Sequence, residues 1–377
     1  MTDITKRVMT VPRGIFLVCI ISTLLLVACG GDAGESRDAG EGDSSAPAYE
    51  SREDLEAAAE EESGEFKVYM STQEEAIAEI ADGFAAKYPN LNVEITEQSG
   101  SDAQRILLEV QGGASDYDIL YLSQEVYKDF LPHLEQIDLM AMAEAGIIDI
   151  PIEMINPDEP YSAAFGSGMA SASYNPKLLD EALVPKAWED YLKPELKGKF
   201  AVDIEPVNLA TLVPAWGEDK VKEFAADIYE QDPIWARGET YALTTMAAGE
   251  FPLHFMSNYH SSYRAIQEAP DDLANVLIEP IPVRLTQAQG IQAGTENPAS
   301  SVLFLEYLAT PEVQEVFDEL EPRQSSLYAE GSEVAKLTEG KELSLWGWEE
   351  FPKMQGYLDM ILEAWGFPTA KLVDPED

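Results

Sequence analysis

Phe66-Lys67-Val68-Tyr69-Met70-Ser71-Thr72-Gln73-Glu74-Glu75 is the stretch on which the reading of the fold turns. Its first five residues alternate as a short strand. Ser71 with Glu74 and Thr72 with Glu75 then form two overlapping capping-box patterns, the signature of a helix start. Beyond them Ile77, Ile80, Ala81, Phe84 and Tyr88 recur at helical spacing, and Pro89 stops the run. The pattern repeats. Asn92 to Thr96 reads as a strand, Gln98-Ser99-Gly100-Ser101-Asp102 as a turn, and Arg105-Ile106-Leu107 lies on a second helix ended by Gly112-Gly113. Tyr117 to Leu122 is a third strand, and Ser123 opens a further helix. Strands alternating with helices predict α/β architecture with a parallel sheet.

Around Gly166-Ser167-Gly168 the chain turns small and flexible before a second α/β unit that starts near Ala170 to Tyr174. Pro185 to Gly198 reads as a surface helix and turn, Val213 to Tyr229 as helix, and Thr240 to Ala248 as a short helix closed by Gly249. A strand over Phe251 to Phe255 leads into a loop over Asn258 to Arg264. Ile278 to Val283, extended by Pro280 and Pro282, carries the chain back towards the first unit. Pro298 to Leu308, Pro311 to Leu320 and Phe351 to Trp365 read as helices. No internal repeat is visible.

The N-terminus carries a different message. Lys6, Arg7 and Arg13 precede an apolar run from Ile15 to Ala28, which would span only about 21 Å as a helix, short of a bilayer crossing. A basic flank, a short apolar core and small residues before a cleavage point predict an export signal over residues 1–28. Leu26-Val27-Ala28-Cys29-Gly30 looks like a bacterial lipobox, which makes Cys29 the lipidated first residue of the mature chain. The other cysteine, Cys19, falls in the leader, so the mature chain is expected to have no disulfide, cysteine nucleophile or cysteine metal site. From Gly31 to Gly64 the sequence is rich in Gly, Ser, Ala, Asp and Glu with Tyr49 as its sole aromatic, so residues 29–64 are expected to form an acidic, disordered tether. Asp54 to Glu62 has helical propensity but shows no apolar face.

The formal net charge is −46, from 24 Lys and Arg against 70 Asp and Glu spread along the chain. A positive nucleic-acid footprint is absent. The acidity is compatible with a cation ligand, a high-salt habitat or general solubility.

Several further pieces carry a family likeness in order and spacing: Phe84-Ala85-Ala86-Lys87-Tyr88-Pro89, Ser99-Gly100 followed by Arg105-Ile106, and Asp116-Tyr117-Asp118-Ile119. Tyr174-Asn175-Pro176, Pro185-Lys186-Ala187-Trp188-Glu189-Asp190, Arg237-Gly238-Glu239-Thr240, Ala248-Gly249-Glu250 and Asn297-Pro298 continue it. Together with Val68 to Gln73 they make the chain resemble extracellular solute-binding proteins of the iron(III)-type group. That resemblance implies a type II periplasmic-binding fold: two α/β lobes joined by two crossing strands, with a ligand held between them. Residues 65–165 and 285–377 would form lobe 1 with the C-terminal helices, and residues 166–284 lobe 2. It implies a monomer that carries a small-molecule ligand to an ABC permease driven by a separate ATPase subunit. The chain has no phosphate-cradling GxxxxGK[ST] motif of its own. The expected place is outside the cytoplasm, lipid-anchored to the cell membrane, and no cofactor is expected.

In open α/β sheets ligands sit beyond the carboxyl ends of the strands, where helix N-termini present free N–H groups. Ser71, Thr72, Gln73, Ser99, Gly100, Ser101 and Ser123 qualify from the first lobe; Gly238-Glu239-Thr240 and the segment from Asn258 onwards qualify from the second. Iron-binding members resemble Asn-x-Tyr-Tyr in that second-lobe segment. Aligning Asn258 and Arg264 with the family's Asn and Arg puts His260 and Ser261 where the tyrosine pair would be, with Tyr259 and Tyr263 displaced. Tyr259, His260 and Tyr263 are therefore only a weak metal set, since one imidazole does not replace two phenolates for a hard cation. Arg105, Arg237, Arg264 and Arg284 stand out in so acidic a chain, because arginine grips carboxylate or phosphate bidentately. Arg105 and Arg237 adjoin the cleft turns and are the expected anion ligands. The six tryptophans are read as packing residues. The leading expectation is import of a small organic or phosphorus-containing anion, or of an iron(III) complex. The alternatives are a structural or adhesive surface lipoprotein and an enzyme on the same scaffold, for which GxSxG, HExxH and a mature cysteine are all absent.

Overall fold

The computed structural model describes residues 48–62, 66–98, 102–321 and 323–367. The leader, Cys29 and the Ser99-Gly100-Ser101 turn lie outside the described residues.

The first unit starts with α1 (Arg52–Glu61) and continues through β1 (Phe66–Met70), α2 (Glu74–Lys87), β2 (Val93–Glu97), α3 (Ala103–Gln111) and β3 (Ile119–Tyr121). β1 pairs in parallel with both β2 and β3, and its central position buries Val68 and Met70 completely. α2 presents Ala76, Ile80 and Phe84 to the core, so Ile80 and Phe84 of the expected stripe are buried and Ala76 takes the place of Ile77. Neither expected capping box forms: Gln73 is the N-cap and its side chain accepts no bond from the helix, while Thr72 donates its hydroxyl to Glu321 at 2.9 Å. The short helices α4 (Tyr127–Phe130) and α5 (Leu139–Glu144) follow.

β4 (Ser162–Tyr174) is one unbroken strand, so the small residues at Gly166-Ser167-Gly168 are not the flexible turn expected of them. A Cβ on Gly166 would meet Thr286 Oγ1 at 2.7 Å and the Gln324 carbonyl at 2.9 Å. Close approach of neighbours, not mobility, is the reason for glycine there. The second unit comprises β5 (Phe200–Asp203), α6 (Val207–Ala210), α7 (Val213–Trp216), α8 (Glu218–Glu230), β6 (Ile234–Ala236), α9 (Glu239–Ala247), β7 (Leu253–Asn258), α10 (Tyr259–Glu268) and β8 (Ala274–Val276). Gly217, at φ 79°, breaks the expected helix over Val213 to Tyr229 in two. Trp188 and Tyr191, expected on a surface helix, are buried, and the Trp188 indole donates to the Pro280 carbonyl at 3.0 Å.

The chain returns through β9 (Ile281–Ile291) and ends with α11 (Pro298–Leu308), α12 (Pro311–Glu319), α13 (Glu333–Thr338), β10 (Leu343–Trp346) and α14 (Met354–Ala364). The sheet order is β2-β1-β3-β9-β4-β7-β5-β6. β4 and β9 pair antiparallel from Ser162↔Gly290 to Met169↔Val283. Beyond that point β4 pairs with β7 and β8, whereas the far end of β9 pairs with β3. These two long strands therefore cross between two α/β lobes. The expected divisions after Phe165 and after Arg284 fall inside them.

Two expectations need correction. α1 is a docked helix rather than tether: Leu55 and Ala59 are buried, and Arg52 bridges to Glu306 at 2.6 Å. Glu62 caps α11, accepting from the N–H groups of Ala299 and Ser300 at 2.7 and 2.8 Å. The apolar face was hidden because only two small contacts, at i and i+4, define it. The C-terminal segment also does not belong to the first lobe alone. β10 pairs with β9 at Ile281 to Arg284, and α14 packs on α8 and α6 as well as on the turn at Gln124–Val126.

Candidate functional site

A cleft of about 420 Å³ opens where the carboxyl ends of β1 and β3, the end of β2 and the crossing strand β9 meet α10 and the C-terminal segment. β9 supplies Arg284 and Thr286 two residues apart on one face of the strand, with Gln287 following at φ 54°. Glycine at position 168 of β4 makes room for the arginine: a Cβ there would sit 3.3 Å from Arg284 Cζ.

Arg284 is the electrostatic centre. Its guanidinium donates to Asn208 Oδ1 at 2.5 Å and Asn258 Oδ1 at 3.1 Å, and among the described residues no carboxylate lies within 4.0 Å of it. The side chain keeps a small opening to solvent through the cleft, yet protein surrounds it closely enough that burial lowers its pKa. A desolvated cation held only by neutral amides retains its full charge for a guest. A smaller cavity of about 160 Å³ adjoins on the same arginine, lined by Asp203, Asn208, Glu239 and Asn258. Burial, then Asp203, pushes Glu239 up to about 8, so near neutral pH it is largely protonated and leaves the charge on Arg284 uncompensated.

The cleft also holds unpaired polar atoms. Both amide atoms of Gln98, the Thr286 hydroxyl and Gln287 Oε1 are buried without a partner among the described residues. A buried orphan of this kind costs about 1–3 kcal/mol unless something bonds it. Four of them around one cavity fit a polar guest.

Of the expected ligand residues, Ser71, Thr72, Gln73, Ser123 and His260 line this cleft, and Asn258 lines the adjoining cavity. Gln73, with its amide turned to satisfy its neighbours, accepts from both terminal nitrogens of Arg264 at 2.6 and 2.7 Å, and Arg264 also faces Glu321 at 3.5 Å. Thr72 and Gln73 are thus tied within the protein. His260 stands on a helix, not on the expected loop, because α10 begins immediately after β7. Burial first, then Arg284 and Arg264, holds its pKa down to about 3, so the imidazole is neutral. It bonds Ser261 Oγ at 3.1 Å.

The remaining expectations are not brought together. Arg105 is exposed and pairs with Glu109 at 2.8 Å and Asp102 at 3.3 Å, since Ile106, Leu107 and Val110 take the buried stripe of α3. Arg237 and Thr240 are exposed and line neither cavity. Tyr259 turns into an apolar cluster with Met169 and Val283, and Tyr263 lies under Arg323 at 4.8 Å. Tyr259 and Tyr263 are neighbours, their rings 6.5 Å apart, but of the three only His260 lines the cleft; among the described residues no group of three His, Cys, Asp or Glu side chains could hold a metal. Asn208, Gln98, Thr286 and Gln287 are not among the expected site residues, and Arg284, one of the four arginines that stand out, is not among the two placed at the cleft turns. The visible signal was a lone arginine inside the apolar run Ile281 to Leu285.

Residues 70–315 match the family of bacterial extracellular solute-binding proteins. The chain belongs to that family. Solved structures share its fold: the Trichodesmium protein IdiA or FutA with iron and citrate aligns at a TM-score of 0.65 and 19% identity, over 81% of this chain and 100% of that one. Iron-bound HitA from Pseudomonas aeruginosa gives 0.63 and 16%, over 80% and 99%. The periplasmic binding protein AfuA from Actinobacillus pleuropneumoniae, with fructose-6-phosphate bound, gives 0.59 and 18%, over 81% and 100%. A search of curated protein sequences found no match. The fold of this solute-binding protein is therefore that of the two-lobed periplasmic binding proteins, which its iron-binding and sugar-phosphate-binding neighbours share. Such proteins bind small ligands and work with ABC permeases, on the extracytoplasmic side. No described helix is long and apolar enough to cross a membrane.

Proposed function

We propose that this solute-binding protein is the lipid-anchored, monomeric receptor of an ABC importer, that it captures a small anionic solute by lobe closure, and that it performs no catalysis. The solute is an organic or phosphorus-containing anion, or an anionic iron(III) complex. The observation that carries this reading is Arg284, a partly desolvated cation facing the cleft between the lobes with only amide oxygens as partners. Bare Fe(III) fits poorly, because among the described residues Tyr121 is the single phenol on the cleft and its pKa is raised by burial, which disfavours a phenolate.

Isothermal titration against citrate, ferric citrate, sugar phosphates and phosphonates is expected to find at least one ligand of micromolar or tighter affinity. Small-angle scattering with that ligand should show a smaller radius of gyration as the lobes close. Binding by uncomplexed Fe(III) alone, with every anion inert, would overturn the reading.

Cys29 is the proposed lipidation site, at the end of the apolar leader. In cells, Cys29→Ser is expected to move the protein from the membrane fraction to the soluble one. An unchanged membrane fraction would rule out the lipid anchor.

A further inference from the structure

The cleft has two chemically different sides. One side is polar, with Gln98, Thr286 and Gln287 carrying buried atoms that lack partners among the described residues. The other comes from the C-terminal segment: Met354 and Leu358, spaced i and i+4 on α14, lie beside Phe351 in the turn before it. Val207 of α6, on which α14 packs, extends this surface.

This apolar wall is firmly placed. β10 runs parallel to β9 with Trp346 beside Arg284 in register, so the segment is fixed to the strand that carries the charge. Trp346 is buried and meets Tyr357 edge-on at 5.4 Å. Phe351 meets Tyr127 of the first lobe edge-on at 5.2 Å, and Trp365 packs on Trp235 of the second at 5.0 Å. Aromatic contacts of this geometry hold both ends of the segment. Phe351, Met354 and Leu358 lie beyond residues 70–315, the part matched to the family, whereas Val207 lies within it.

Phe351 and Met354 are already buried in the core, and Leu358 and Val207 are the half-buried members of this wall; a fully hydrophilic anion would satisfy Arg284 and the unpaired amides but leave those two facing water. We infer that the solute is an organic anion with an apolar substituent, its charged head on Arg284 and its apolar part against Phe351, Met354 and Leu358. The inference rests on the anion-receptor reading above. The C-terminal segment thereby gains a specific role, in which α14 selects among anions while β9 holds them.

The test uses matched pairs of anions on the purified mature protein: phenylphosphonate against methylphosphonate, and hexanoate against acetate. Titration calorimetry is expected to show the apolar member of at least one pair binding at least roughly tenfold more tightly. In Leu358→Ser, at a half-buried position, that ratio should fall towards one. Met354→Ala provides a second substitution, with thermal melting to confirm that both variants fold. Equal affinities within both pairs, or a ratio untouched by either substitution, would overturn the apolar subsite while leaving anion capture in place. Absence of binding by all four probes would overturn the apolar subsite while another anion, such as citrate or a sugar phosphate, still binds, and would overturn both readings if every anion is inert.

Discussion

Replacing Arg284 by Gln is expected to weaken anion binding by roughly 30-fold to more than 1,000-fold while leaving the fold intact. Truncating one member of a hydrogen-bonded, desolvated charge pair costs about 2–5 kcal/mol of affinity, and each 1.4 kcal/mol is tenfold. Stability should respond differently. Arg284 is a partly desolvated cation without a carboxylate, so removing it relieves a burial cost. Against that stand its bonds to Asn208 and Asn258, of which a Gln amide can keep one. The melting temperature should therefore change little, or rise. Arg284→Lys keeps the charge as a point and loses the fork, so it should fall between the two. The combined readout is titration calorimetry with melting. An Arg284→Gln protein that binds as tightly as the wild type would remove the arginine from the site, and with it the main support for an anionic solute.

The same arginine shows where sequence reasoning reached its limit. The alternation of strand and helix from Phe66 to Leu122 was legible because parallel strands and amphipathic helices have fixed periods, and the structure follows them. The carboxyl ends of β1 and β3 were legible for the same reason, and Ser71 and Ser123 do line the cleft. Arg105 and Arg237 were favoured for being near those turns in sequence. Proximity along the chain does not fix the direction of a side chain, and both face solvent. Arg284 sits far from every turn, and only the pairing of β4 with β9 brings it to the centre. The docked helix α1 escaped for a related reason. Its stability comes from Arg52 and Glu62 reaching α11, contacts some 240 residues apart, and not from a broad apolar stripe of its own. Asn258 is a favoured N-cap residue, but Ser261 rather than Glu or Gln stands three residues on, so no capping box marks the start of α10, and the structure has no side-chain cap there.

Glu239 gives a pH dependence whose sign follows from its burial. Its pKa is pushed from the ordinary carboxylate value of 4.5 to about 8, by burial first and the neighbouring Asp203 second; the Asn258 N–H and Arg284 pull the other way and do not offset this. His254, 3.5 Å away, is held down to about 4 by burial and is neutral over the same range. Between about pH 4.5 and 8 the folded chain therefore keeps a proton that the unfolded chain has released. The unfolded state binds fewer protons, so stability falls as pH rises through that window, and the full cost is reached above pH 8. Glu239→Gln carries no charge to bury and its amide oxygen can still accept from Asn258. Wild type and Glu239→Gln should thus match near pH 4.5, and the variant should be more stable by roughly 2–4 kcal/mol at pH 9. Anion affinity should follow the same titration: once Glu239 ionises beside Arg284 it competes for the guanidinium, so wild-type binding weakens from pH 6.5 to 9 while the variant stays level. Denaturant unfolding and calorimetry at both pH values read the two effects separately. Parallel stability curves for the two proteins across this range would show that Glu239 is ionised throughout, and that Arg284 is then already shared with it before any solute arrives.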